Sequence, residues 1–282
     1  MSDRVVRALT RDHAFRIITI TSTETARAAA RTHGLTGGSA EILGELVTGS
    51  VLARELMSPD LRMQVVLRGA KGTGSAVADA YPGGRTRGML NHKAGHATFE
   101  LGGDAMMQVT RNLARGDLHQ GIVPVEAAEG VSGAFHNYFT TSEQVTTAVG
   151  LAAPWAGEDV VRAGGYVVQM LPEGTPADLD RMSAHIERLP PIQTLLEDVG
   201  ADADQLLARL LDGVDHVRVN DGPVFWGCVC DLTRVVSALA TLPRNEIAEL
   251  AEQEEGLDIG CDYCGKHYQV PRTQLLGLLV DS

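Results

Sequence analysis

Residues 61–80 read LRMQVVLRGAKGTGSAVADA. The outer stretches, 61–68 and 75–80, are short and strand-like, and the glycine-rich GAKGTG of residues 69–74 supplies turn chemistry between them. A β-hairpin follows, which commits this part of the chain to antiparallel pairing. Downstream, residues 97–101 and 105–110 are further strand candidates, separated by Gly102, Gly103 and Asp104. Upstream the period changes. Ser22-Thr23-Glu24 opens an alanine-rich run that stops at His33-Gly34, a capped helix with a glycine end. Ser39 is placed to cap a second helix, in which Ile42, Leu43, Leu46, Val47, Val51 and Leu52 recur near helical spacing.

From about residue 176 the texture changes. Leu179, Met182, Ile186 and Leu189 keep a 3.6 period, Pro190-Pro191 breaks it, and Ile192, Leu195, Leu196 and Val199 resume it. Leu206, Leu207, Leu210 and Leu211 form another short apolar stripe. Helices this short need a neighbouring surface to be stable. The last segment, opening at Phe225-Trp226, carries every cysteine and is too short for a self-sufficient core, so a structural metal would supply what apolar burial cannot. The expected fold class is α+β: an N-terminal mixed, largely antiparallel sheet domain with helices (1–175), a helical linker (176–225) and a small C-terminal zinc-binding domain (226–282).

The cysteines stand as Cys228-Val-Cys230, thirty intervening residues, then Cys261-Asp-Tyr-Cys264. Two close pairs can each hold one side of a tetrahedral ion, and Gly265 with the strand-like KHYQV of 266–270 makes the second pair resemble a zinc knuckle at a hairpin turn. Zinc is the favoured ion. An iron–sulfur cluster also accepts four thiolates, but the usual ferredoxin spacings are tighter. From spacing alone a closed zinc staple is the commoner reading; an oxidant-sensitive switch is allowed beside it, since each pair is close enough in sequence to become a local disulfide and four thiolates gather reactive sulfur in one place.

Composition narrows the function classes. Apolar residues make up 44% and charged residues 21% of 282, as in a folded protein rather than a disordered one. A formal charge of -12 argues against a phosphate or anionic-lipid partner. Between 228 and 265 there are eight acidic and two basic residues, which disfavours a zinc-ribbon nucleic-acid binder. A thiol–disulfide oxidoreductase would need a βαβ context around C-x-x-C that the pattern lacks. No stretch has the length of a signal peptide's apolar core or of a membrane span, so the expected location is cytosolic. Residues 69–74 lack the G-K-[ST] ending of a phosphate loop. His92 and His96 lack a third ligand, and His267 is superfluous beside four thiolates. Ser142, His136 and Glu143 lack a nucleophile elbow; the motif that holds them is expected to fix a helix start.

Several stretches resemble one family. RVVRALTRDHAFR (4–16), Arg87-Gly88 after a glycine turn, Tyr138-Phe139-Thr140-Thr141-Ser142-Glu143-Gln144 as a YF-x-x-SEQ motif, and the C-x-C with a distant C-x-x-C are similar to the redox-regulated heat-shock chaperones of about thirty-three kilodaltons, the 33 kDa chaperonin family. The resemblance spans nearly the whole chain and departs from the family pattern at Met89-Leu90, where tyrosine and valine are expected. It implies a non-enzyme: a cytoplasmic, ATP-independent holding chaperone of the stress response, inactive while reduced and zinc-bound. It further implies that Cys228, Cys230, Cys261 and Cys264 bind one zinc ion, and that oxidation pairs Cys228 with Cys230 and Cys261 with Cys264, releasing zinc and unfolding the linker. The partners it implies are unfolding client proteins and, in the oxidised form, a second copy of the chain, with no nucleic acid and no membrane.

Overall fold

In the computed structural model, residues 2–112, 117–200, 202–252 and 256–280 are described, the last without its side chain. The chain divides into two compact units, Met1–Gly227 and Cys228–Ser282.

The larger unit runs β1 (Arg4–Thr10), β2 (Phe15–Thr21), α1 (Thr23–Thr32), α2 (Gly37–Glu55), β3 (Met63–Arg68), β4 (Gly74–Ala80), β5 (Arg85–His92), β6 (Met106–Asn112), β7 (Leu118–Pro124), α3 (Gly130–Asn137), β8 (Thr147–Ala152), β9 (Trp155–Ala156), β10 (Asp159–Val160), β11 (Gly164–Met170), α4 (Pro176–Ile186), α5 (Ile192–Asp198), α6 (Ala203–Leu210), β12 (His216–Pro223) and β13 (Phe225–Trp226). One antiparallel sheet has the order β12-β1-β2-β11-β8, and a second has the order β13-β5-β4-β3-β6-β7. The predicted hairpin is β3–β4, in register from Met63 opposite Ala80 to Arg68 opposite Ser75. Its turn closes through Gly69 N–H to Gly74 O at 3.0 Å, with Lys71 and Gly72 both at positive φ.

Helix α2 lies between the sheets, packed on β2, β8 and β11 of one and on β3, β4 and β5 of the other. A helix in that position must be buried all round, and Leu43, Leu46, Val47, Val51 and Leu52 are buried with the small residues Gly44, Thr48, Gly49 and Ser50 between them. Gly49 is required for close approach: a Cβ there would sit 2.3 Å from the Phe135 ring. Arg87 pairs with Asp79, Nη2 to Oδ2 at 2.8 Å. Gly88 receives α2, since a Cβ would meet Val47 at 2.7 Å.

Helix α1 ends as its sequence indicates, with Leu35 N–H on Ala30 O, Gly34 N–H on Arg31 O and Gly34 at φ +60. Its start differs. Ser22 makes no capping bond; instead the buried Asp3 carboxylate accepts from Glu24 N–H at 3.2 Å and Thr25 N–H at 2.6 Å. Ser22 Oγ is engaged by Thr48. Asp3→Ala should therefore lower stability by about 1–2 kcal/mol, read as a shift in urea midpoint at unchanged slope, while Asp3→Asn should recover most of it. The second helix likewise begins before its expected cap: Thr36 precedes it, and Ser39, inside the helix, faces His92.

Three more expectations are corrected. Residues 97–101 form no strand: Phe99 turns into the core, and Ala70 N–H donates to Glu100 O at 2.8 Å, which leaves β6 to pair with β3. The segment expected to be helical up to 225 ends in a strand, β12, antiparallel to β1. Val217 and Val219 alternate there with Arg218 and Asn220, a period of two after helices of period 3.6. The YF-x-x-SEQ motif closes a helix instead of starting one. It forms a wide π-turn after α3, in which Tyr138 Oη donates to Glu143 and Arg111 pairs with the same carboxylate at 2.8 Å.

Helices α4–α6 lie on the face of the first sheet away from α2. A capping box, Thr175 with Asp178, and Pro176 start α4, Pro191 precedes α5, and Asp202 caps α6. Met182, Ala203, Leu207, Leu210 and Leu211 form a core cluster with Val6, Ala8, Phe15, Ile17 and Val168. Leu195, Leu196, Val199 and Leu206 form another with Ala152.

The smaller unit holds α7 (Leu232–Leu239), α8 (Arg244–Ala251), the antiparallel pair β14 (Leu257–Gly260) and β15 (His267–Val270), and α9 (Arg272–Val280). Among the described residues its core cluster has four buried members, Leu239, Ala251, Val270 and Leu275. Glu254 and Glu255, part of its acidic count, lie outside the described residues. A cluster of this size stabilises a fold only marginally on its own.

Candidate metal centre

The second cysteine pair sits in the tight turn between β14 and β15. Cys261 N–H donates to Lys266 O at 2.8 Å and Gly265 N–H to Cys261 O at 2.8 Å, with Gly265 at φ +68. That turn aims both sulfurs to one side. The first pair precedes α7, whose N-terminus is fixed by Asp231 accepting from Arg234 N–H at 2.8 Å.

All four Sγ atoms lie within 4.8 Å of one another, and all four residues are half-buried free thiols. Cys228 and Cys261 approach to 3.7 Å and Cys230 and Cys264 to 3.3 Å. A tetrahedral ion with metal–sulfur bonds of about 2.3 Å spaces its sulfurs by roughly 3.8 Å, so the first separation matches such an ion and neither is a covalent S–S distance. Among the described residues this is the one group of three or more potential ligands gathered closely enough to hold a metal ion.

Electrostatics point the same way. Burial, reinforced by the neighbouring thiols, pushes the Cys264 thiol up to about 12, and burial also raises Cys261. Four thiols this close cannot ionise together without a cation; metal uptake must expel protons, and affinity falls as pH falls. Tyr268, on β15, donates its hydroxyl to Cys230 Sγ at 3.1 Å, an outer contact of the kind that orients a ligand. Cysteine spacing carries no signal for it.

The other candidates separate. His267 turns to Asp258 at 3.0 Å. His92 lies in β5 and faces Ser39 Oγ at 3.2 Å, with His96 in the following loop. His136 bonds Thr147 O and Glu143 is held by Tyr138 and Arg111, so with Ser142 they make no relay. No helix among the described residues is long and apolar enough to cross a membrane.

Fold and site define a two-unit α+β protein whose smaller unit gathers four cysteine thiols closely enough to hold a metal ion. The family profile described as Hsp33 protein matches residues 3–271. The chain is 28% identical over 297 residues to the 33 kDa chaperonin of Listeria monocytogenes, covering all of both chains, and 29% identical over 293 residues to that of Lacticaseibacillus casei, covering 99% of each. A solved structure, the 33 kDa chaperonin (heat shock protein 33 homolog) of Thermotoga maritima, superposes over 100% of both chains with TM-score 0.83 at 21% identity. The chain belongs to the Hsp33 family of chaperones.

Proposed function

We propose that this chain is a redox-regulated, ATP-independent holding chaperone of the cytoplasm, whose inactive form is reduced and carries one zinc ion on Cys228, Cys230, Cys261 and Cys264. The observation that carries the reading is the convergence of four sulfurs within 4.8 Å in a unit whose core cluster has, among the described residues, four buried members. The donor set fits zinc, because four thiolates would close the coordination sphere and leave no open catalytic position. When bound, zinc would hold the thiolates together and supply folding free energy on the order of 10 to 16 kcal/mol.

The remaining chemistry belongs to the chain. A thiolate attacks a hydroperoxide and becomes a sulfenic acid with loss of hydroxide; its partner thiolate displaces a second hydroxide, forming the disulfide, so each pair gives two electrons to one peroxide. The pairs are Cys228 with Cys230 and Cys261 with Cys264, and each disulfide withdraws two ligands. Residues 226–282 then lose their staple, helices α4–α6 of the linker 176–225 leave the N-terminal domain 1–175 while β12 stays paired with β1, and the leucine faces of α4–α6 with the sheet beneath them bind unfolding proteins by apolar area. The oxidised form is a homodimer. The net charge of -12 and the acidic surroundings of the cysteines weigh against nucleic acid or anionic membranes as partners.

The test uses one sample taken through a cycle: zinc content and suppression of a client's aggregation are measured reduced, after peroxide, and after thiol reduction with zinc resupplied. Loss of zinc with a reversible gain of holding activity is expected. Zinc retained through peroxide, or lost with no holding activity, overturns the reading.

A further inference from the structure

Met182 is the only methionine on α4, and it is seated in the sheet-facing cluster with Phe15, Val168 and Leu207, 7% exposed. Voids flank it. On one side a cleft of about 450 Å³ is lined by Phe15, Met182, His185 and Val214, with the exposed Arg181 and Ala184 at its rim. On the other a cavity of about 150 Å³ is bounded by Phe15, Val168, Leu179, Met182 and Ile186. Helix α4 therefore rests on an incompletely filled seat, and Met182 lines a cleft large enough to hold an oxidant the size of hydrogen peroxide. Met107, in the core beside α2, is 0% exposed and lines neither space.

We propose that Met182 is a second oxidation site of this protein, at which a hydroperoxide converts the thioether to a sulfoxide and loosens α4 independently of the cysteines. The sulfur lone pair attacks a peroxide oxygen, the S–O bond forms as the O–O bond breaks, and water leaves; sulfur gives up two electrons and the peroxide takes them. The product carries a strong hydrogen-bond acceptor that Phe15, Val168 and Leu207 cannot satisfy, whereas Thr10, Arg181, His185 and Arg188 along the cleft can, so the oxidised side chain is drawn out of the apolar seat and the seat is weakened. Thiol reductants that restore the cysteines leave the sulfoxide in place, so α4 would retain a record of oxidation after the thiols are reset. The consequence for chaperone activity rests on the function proposed above; the oxidation and loosening of α4 do not.

The test uses full-length, zinc-loaded protein treated with hydrogen peroxide, then reduced with dithiothreitol and resupplied with zinc. Peptide mass spectrometry should find sulfoxide at Met182 about tenfold ahead of Met107, and α4 amide protection should remain lowered by about tenfold or more. Methionine sulfoxide reductases should restore it. Met182→Leu, a volume-conserving change expected to fold normally, should return fully to its starting protection, and Met170→Leu should behave as wild type. Oxidation of Met170 without Met182, or the same residual loosening in Met182→Leu, overturns the proposal. Sulfoxide at Met182 with a loosened α4 but no client binding supports this proposal and counts against the chaperone reading.

Discussion

The double variant Cys261→Ser, Cys264→Ser should bind no zinc tightly and should lose ordered structure throughout β14, β15 and α9. The knuckle contributes two of the four sulfurs, so its removal forfeits most of a metal-linked stabilisation on the order of 10 to 16 kcal/mol. A core cluster of Leu239, Ala251, Val270 and Leu275 cannot replace that. Hydrogen exchange should show protection lost across residues 257–280 and retained in the β3–β4 hairpin, because the two lie in separate compact units. Aggregation assays should give the same holding activity with and without peroxide. Tight zinc binding by the variant, or an undiminished peroxide response, would remove these cysteines from the proposed role.

The second large effect concerns the linker. Leu207 is 3% exposed and packs with Phe15, Ile17 and Val168 on the sheet face that α6 covers. Leu207→Asp places an unpaired carboxylate there, at a cost of about 3 kcal/mol or more. Helix α6 should leave the sheet while the zinc thiolates remain reduced, and the protein should hold clients without any oxidant. Leu207→Ala, with a cost of about 2–4 kcal/mol and no buried charge, should show a weaker form of the same behaviour if the aspartate variant fails to fold. Arg209→Ala, on the exposed side of the same helix, should change neither property. An undocked α6 without holding activity would separate linker release from client binding.

The parts of this fold legible in the sequence are those decided by neighbours along the chain. The β3–β4 hairpin is one, because its turn residues and strand pattern are contiguous. The glycine end of α1 is another, and so is the cysteine knuckle, where two residues between Cys261 and Cys264 determine a turn. What stayed hidden depends on distant partners. Strand β2 is covered on both faces, by α2 and by α6, so it lacks the alternation that marks a half-exposed strand. The cap of α1 comes from Asp3, not the adjacent Ser22. Residues 97–101 have strand-like composition, but the edge they would need is occupied by β6. For the candidate metal centre the gathering of the four cysteines was readable from their spacing, whereas the cross-pair approach of Cys228 to Cys261 and the hydroxyl of Tyr268 on Cys230 emerge only from folding.

The position of β12 has a bearing on reversibility. Helices α4–α6 lie between β11 and β12, and both strands belong to the same sheet, β11 paired with β2 and β12 with β1. The helices can therefore leave as a loop of about 45 residues anchored at both ends, with no chain terminus set free. Re-docking is then an intramolecular closure, opposed by an entropy that grows only logarithmically with loop length, roughly 3 kcal/mol plus a constant. Under the proposed function, a tether of this kind would keep the departed helices at high local concentration over their own seat, so a client would compete with them continuously and would be released when they regained their structure.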